Sequence, residues 1–313
     1  MKYIKGIEYY HSNAPTAMTL GKFDGLHRGH QKLVDKVTTY ANLHHIQSVV
    51  FAFDMAPLYE KLGRKQESIM TNEERRIHLN THVDCLMECP FTETVSTMTA
   101  EDFIAEVLVK RFHVNYIAVG ADFRFGHEKK GNYQLLKKYA DIYGYEVEMV
   151  EKEQYQGRTI SSTYIKEELK NGRIDLVNTL LGYPYLIAGE VAHGRKLGRT
   201  IGFPTMNVLP EKVKLLPPKG VYINEILVDQ RWYQGVCNIG VKPTVGAEAR
   251  VNVESFLFHY NGDAYGKYIG IKLHQFVRTE QKFDSVEALQ AQMRQDIQYA
   301  KAFFRRGRER GMQ

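Results

Sequence analysis

Two periodicities divide the chain. Up to about residue 181, short apolar runs alternate with stretches whose apolar residues recur every three or four positions; the runs predict strands and the recurrences helices. Ala17-Met18-Thr19-Leu20, QSVVFAFD at 47–54, VDCLMEC at 83–89, NYIAVG at 115–120 and YEVEMVE at 145–151 read as strands. Between them, Leu33, Val34, Val37, Tyr40 and Ala41 line one helical face, and Thr71 with Glu74 forms a capping box. Thr99 with Asp102 opens EDFIAEVLVKRF, and GNYQLLKKYADIYG closes on Gly144. MAPLYEKLGRK, after the second strand, reads as irregular. This alternation predicts α/β architecture: a parallel sheet wrapped by helices, with ligands beyond the carboxyl ends of the strands.

After Leu181 the period shortens. GVYINEILVD at 220–229, WYQGVCNIGV at 232–241, RVNVESFLFHY at 250–260 and KYIGIKLHQFV at 267–277 alternate as antiparallel strands do, and predict a small β-barrel. A last helix starts near Ser285, with Val286, Leu289, Met293, Ile297 and Ala300 on one face. The boundary falls near Gly182-Tyr183-Pro184, giving domains 1–182 and 183–313.

Candidate chemistry sits at the joints. GKFDGLHRGH at 21–30 joins a strand to a helix; Gly21, Gly25 and Gly29 let backbone approach an anion, and His27 and His30 share one side of the first turn. That set suits a nucleoside triphosphate, whose leaving pyrophosphate gains charge during substitution. GADFRFGHEKKGN at 120–132 brings Asp122 and Arg124 to the same rim. Ser161, Ser162 and Thr163, with Lys166 one turn on, make a second anion site or a plain helix cap. In the second half, Gly194, Gly198 and Gly202 with Arg195, Lys196 and Arg199 suggest an anion-binding flap, and Thr205 and Asn207 offer oxygen to a hard cation such as Mg²⁺. Glu254 interrupts an apolar strand, facing either solvent or a site.

Composition narrows the setting. The 313 residues carry a net charge of +6 and a pI near 8.9, part of it in the tail RRGRER at 305–310. That tail reads as the solvated end of a helix, so nucleic acid is not expected as a partner. No apolar run approaches a spanning length and no signal segment opens the chain, so the expected location is the cytoplasm, without a membrane. Three cysteines, an odd and sparse set, do not suggest a disulfide framework. Nothing in the pattern signals an oligomeric state.

GKFDGLHRGH, GADFRFG, ISSTYIKEELKNG, GRKLGRTIGFPTMN, PPKGVY, NIGVKPTV and VESF followed by YGKYIGIKL occur in that order, and the set resembles the bifunctional prokaryotic riboflavin kinase/FMN adenylyltransferases, or FAD synthetases. The resemblance implies a Rossmann-like first half of the HxGH nucleotidylyltransferase type, adenylylating FMN to FAD with release of pyrophosphate. It implies a riboflavin-kinase barrel second, making FMN from riboflavin and ATP with Mg²⁺ and leaving ADP. By motif position, His27 and His30 would act on the ATP phosphates among Gly21, Phe23, Asp24, Gly25 and Gly29. Ser161, Ser162, Thr163 and Lys166 would also face ATP, and Asp122, Arg124 and Phe125 flavin. In the second site Gly194, Lys196 and Gly198 would face ATP, Thr205 and Asn207 MgATP, Gly202 and Phe203 flavin, and Glu254 would be the base. The chain departs from the family pattern at Met55-Ala56-Pro57, often Pro-His-Pro, at Lys166, usually Arg, and at Asn132, usually acidic. The rival readings are retention of one activity, with the kinase favoured, and a flavin-binding regulator without turnover; binding alone would need no base.

Overall fold

The computed structural model describes residues 1–192, 202–242 and 250–309. Contacts divide the chain into two compact units, Met1–Tyr164 and Ile165–Gln313.

In the first unit β1 (Lys2–Lys5), β2 (Thr16–Gly21), β3 (Gln47–Asp54), β4 (Cys85–Pro90), β5 (Val114–Gly120) and β6 (Glu146–Val150) form a six-stranded sheet in the order β1-β4-β3-β2-β5-β6. Every pairing is parallel. Connections from β2 run toward β3 on one side, whereas β5 lies on its other side, so the sheet's switch point lies between the carboxyl ends of β2 and β5. Those ends carry the loops that begin at Gly21 and Gly120. The four inner strands, β4, β3, β2 and β5, are near-continuously buried, as parallel strands covered by helices on both faces are. The helix Arg28–His44 buries Leu33, Val34, Val37 and Ala41 on one side, and Phe51, Phe103, Phe112 and Met87 fill the core.

Two local expectations are corrected. Residues 55–65 are not wholly irregular: Ala56–Lys61 is a helix, with Pro57 in its first turn and the Asp54 carboxylate accepting from the Ala56 amide at 3.0 Å. The helix opened by Thr99 turns π-helical over Phe103–Val109. The Thr71–Glu74 capping box and the left-handed Gly144 cap form as read.

After the ribbon β7 (Gln154–Tyr155) and β8 (Arg158–Thr159) come two helices, Ser162–Lys170 and Ile174–Leu181. In the second unit β9 (Tyr185–Ala192), β10 (Thr205–Pro210), β11 (Gly220–Val228), β12 (Arg231–Lys242), β13 (Arg250–Leu257) and β14 (Tyr268–Arg278) close an antiparallel barrel in the order β10-β13-β12-β11-β14-β9. Asn178 joins Ile174–Leu181 to this barrel, donating to the Leu273 carbonyl at 2.9 Å and accepting from the Tyr185 amide at 2.7 Å.

The C-terminal helix Val286–Glu309 lies on the barrel's outer wall, where Ala300 and Phe304 pack on Ile223, Val236 and Phe258. The predicted stripe is shifted: Val286 is exposed, and Asp296 is buried within the stripe. Asp296 is there because Arg278 of β14 donates to it through Nε at 3.0 Å and Nη2 at 2.7 Å, and Gln292 through Nε2 at 3.0 Å.

Candidate active sites

The first site is built from strained backbone. Phe23, Gly25 and Leu26 have φ of 47°, 96° and 36°. A side chain in that region costs about 1–3 kcal/mol unless its surroundings enforce it, and such strain gathers at ligand clamps. The enforcement is visible. The Asp24 carboxylate accepts from the amides of Ile69 at 2.7 Å and Met70 at 3.2 Å, and Ser162 Oγ donates to the Asp24 carbonyl at 2.8 Å. At Gly25 an added Cβ would lie 2.9 Å from Ile69 Cγ2, so no larger residue fits.

The loop delivers two imidazoles to the helix start. His27 is the extended N-cap, and its ring stacks on that of His30 with centroids 3.7 Å apart and planes 17° apart. Phe23, fully buried, supports His30 edge-on at 5.2 Å. Both Nδ1 atoms are buried without a hydrogen-bond partner among the described residues. Burial takes the His27 pKa down to about 4. It takes His30 well below the ordinary value too, and His27 and Arg75 push the same way. The rings are therefore neutral near pH 7, His27 buried and His30 half-buried against it. An arriving anion reverses the balance, favouring protonation and N–H donation.

Arg75 is the residue sequence reasoning missed. It is 4% exposed, its Nη1 lies 3.7 Å from Glu88, and its Nε has no partner among the described residues. Burial lowers its pKa while Glu88, Asp24 and Asp54 hold the charge in place. A buried cation felt by His30 adds to an anion's attraction. In sequence it is one charge in the helical run NEERR, and nothing there marks it as inward.

The other expected residues are placed unevenly. Ser161 Oγ accepts from the Tyr164 amide at 3.2 Å, which is a helix cap, and Thr163 is exposed. Lys166 is half-buried in the same helix, beyond the point where the units divide. At the rim, Asp122 is exposed and pairs with Lys152 at 2.8 Å, and Arg124 donates to the Phe123 carbonyl. Phe125 is buried against Phe103 at 5.7 Å, with Gly131 under its ring. Asn132, the departure from the family's acid, caps Tyr133–Tyr143 by accepting from the Leu135 amide at 2.9 Å.

The second site lies on the barrel's outside. Val253 and Ser255 are fully buried, so by alternation Glu254 shares the other face with Asn252 and Phe256. Asn207 and Asn238 stand directly opposite Glu254 on the two flanking strands. Asn252 Nδ2 donates to Asn207 Oδ1 at 3.1 Å and to Glu254 Oε1 at 3.3 Å, gathering both oxygens around one amide. A same-face partner two residues before a carboxylate is legible in sequence, and Asn252 is the signal that was there to be read.

Two pockets meet here. One, of about 380 Å³, is lined by Glu254, Thr205, Phe203, Phe256 and, from the C-terminal helix, Leu289 and Met293. The other, of about 450 Å³, is lined by Thr205, Met206, Tyr260 and Tyr265. Thr205 belongs to both. Gly202, at φ 80°, precedes Phe203. Gly194, Arg195, Lys196, Gly198 and Arg199 lie outside the described residues. Thr205 and Asn207 supply a hydroxyl and an amide oxygen, donors that suit Mg²⁺. No helix among the described residues is long and apolar enough to cross a membrane.

The family model for FAD synthetase matches residues 10–164, and that for riboflavin kinase residues 181–304. The bifunctional riboflavin kinase/FMN adenylyltransferase of Escherichia coli K12 is 37% identical over 310 residues, covering 97% of this chain and 98% of its own. That of Haemophilus influenzae is 34% identical over 291 residues, covering 92% and 94%. Among solved structures, a Streptococcus pneumoniae protein described as a macrolide-efflux protein superposes with a TM-score of 0.83 at 28% identity, covering 96% of this chain and 99% of that one. What that likeness carries is the fold of both halves. With each half matched by its own family model, in the same order as in full-length relatives, the chain belongs to the bifunctional riboflavin kinase/FMN adenylyltransferase family.

Proposed function

We propose that the chain makes FAD from riboflavin in two steps at two sites, phosphorylation by residues 183–313 and adenylylation by residues 1–182. The observation that carries the reading is the pairing of chemistries. A carboxylate stands at an apolar pocket in one half, and buried neutral histidines stand on a strained anion loop in the other.

In the kinase half the flavin ring lies against Phe203, Phe256, Leu289 and Met293, and ATP enters from the side of Tyr260 and Tyr265. Riboflavin presents a neutral ribityl hydroxyl. Glu254 accepts its proton as the oxygen bonds to the γ-phosphorus and the bond to the departing ADP oxygen breaks. Asn252 orients the carboxylate. Thr205 and Asn207 would hold Mg²⁺, which when bound offsets the charge of the phosphates. Gly194, Lys196 and Gly198 complete the ATP side.

The adenylyl step needs no base, because FMN already carries an anionic phosphate oxygen. That oxygen bonds to the α-phosphorus of ATP as the bond to pyrophosphate breaks. His27 and His30 donate to the phosphate oxygens, Arg75 supplies buried positive charge, and Gly21, Gly25 and Gly29 admit the phosphates close to backbone. Asp24 and Phe23 hold the loop in shape. Ser161, Ser162 and Thr163 extend the anion site, and Asp122, Arg124 and Phe125 shape the flavin rim. The setting is the cytoplasm, where ATP is abundant.

The test is product analysis on the unmodified chain. Riboflavin, ATP and MgCl₂ yield FMN first and FAD after it, and a chelator stops the formation of both. Unconverted riboflavin with MgCl₂ present sinks the proposal.

A further inference from the structure

The basic C-terminal end of the chain does not simply trail into solvent. A concavity of about 450 Å³, sharing no lining residue with the pockets at Glu254 and Thr205, lies between the start of β12 and the end of the C-terminal helix. Arg231 and Trp232 come from the strand; Lys301, Arg305 and Arg308, spaced to lie on one helical face, come from the helix. It lies past the end of β13 from the proposed catalytic carboxylate: Phe258 and His259, which line it, are in the turn that follows Leu257, and Glu254 is not among its lining residues.

Charge is unbalanced here. Arg231, Lys301, Arg305 and Arg308 form no ion pair among the described residues. The acidic lining residue, Glu225, is engaged by His274 at 2.9 Å, and that bond holds its pKa below the ordinary carboxylate value. Aromatic faces set the positions of the cations. Lys301 sits over Phe258 at 5.4 Å, Arg231 over Tyr233 at 5.1 Å, and Lys272 over Trp232 at 3.8 Å. A volume in the range of small-ligand sites, with cations converging from two elements, fits a compact multiply charged anion better than an extended strand.

We propose that this basic, aromatic concavity binds a compact polyphosphate anion, such as pyrophosphate or the phosphate end of a free nucleotide, separately from both active sites. Binding is the role proposed for it, since the lining carboxylate, Glu225, is already held by His274.

Trp232 is the single tryptophan of the chain, so its fluorescence reports on this place alone. Inorganic pyrophosphate, invisible at the exciting wavelength, is titrated into the full-length protein without flavin. The expected result is a saturable change in Trp232 emission, weakened at least tenfold in Arg305→Glu/Arg308→Glu and preserved in Arg305→Lys/Arg308→Lys. Riboflavin phosphorylation by the charge-reversed protein stays at the unmodified rate, which shows that it is folded. No saturable change, or one equal in the charge-reversed protein, overturns the proposal. So does a response confined to single-stranded RNA with a steep salt dependence, which would make the surface a nucleic-acid site.

Discussion

His27→Ala abolishes FAD formation from supplied FMN and ATP, by about 10²–10³-fold, and leaves FMN formation from riboflavin within about twofold. The size follows from the setting. A donor removed from a water-excluded site takes with it charge stabilisation that solvent does not replace, and His30 also loses the ring stacked on it at 3.7 Å. Chromatography of flavins from the two half-reactions, run separately, measures both numbers. The same residue leaves a mark on stability. Its folded pKa, about 4, lies below the ordinary 6.5, so between those values the unfolded chain binds the proton more readily. The contribution is fully present above pH 6.5 and is lost as pH falls toward 4, amounting to about 3 kcal/mol at the limit. Denaturant unfolding at stepped pH shows a shallower loss across that window in His27→Ala than in the unmodified chain; equal slopes would place the acid sensitivity elsewhere.

Glu254→Gln does the reverse. FMN formation falls by about 10³-fold, within the span expected for a lost general base, while FAD formation from supplied FMN is unchanged. Glutamine keeps the shape and still meets Asn252, so the KM for riboflavin moves little and the loss falls on kcat. A loss confined to KM would make Glu254 a binding group and no base.

Much of the architecture was legible from periodicity alone. The first half's strands and helices alternate cleanly, and parallel strands covered on both faces keep long apolar runs that stand out. Breakers and caps such as Gly144 and the Thr71–Glu74 pair fixed several ends. The helix Ala56–Lys61 was hidden because it buries none of its residues, so no apolar stripe announces it. Asp296 was hidden for the opposite reason: a carboxylate at a core position makes sense only once Arg278, distant in sequence, folds against it. Of the proposed site residues, those carried by glycine-spaced motifs could be named from sequence. Arg75 could not, because the carboxylates that hold its buried charge, Glu88, Asp24 and Asp54, come from three other segments. Glu254 could be named but not aimed. Whether it faces into the barrel or out depends on which alternating set closes the interior, and the buried Ser255, bonded to Asn224 at 2.9 Å, shows a polar residue taking the inside place.

Two independent sites that exchange free FMN can be supplied by two different molecules. The direct measurement supplies riboflavin, ATP and MgCl₂ to His27→Ala, to Glu254→Gln and to an equal mixture of the two, and follows FAD. The expected result is no FAD beyond a trace from either protein alone, FMN accumulating only with His27→Ala, and FAD restored in the mixture as Glu254→Gln adenylylates FMN made by its neighbour. FAD from either protein alone at the unmodified rate, or FMN accumulating in the mixture without conversion, would contradict it.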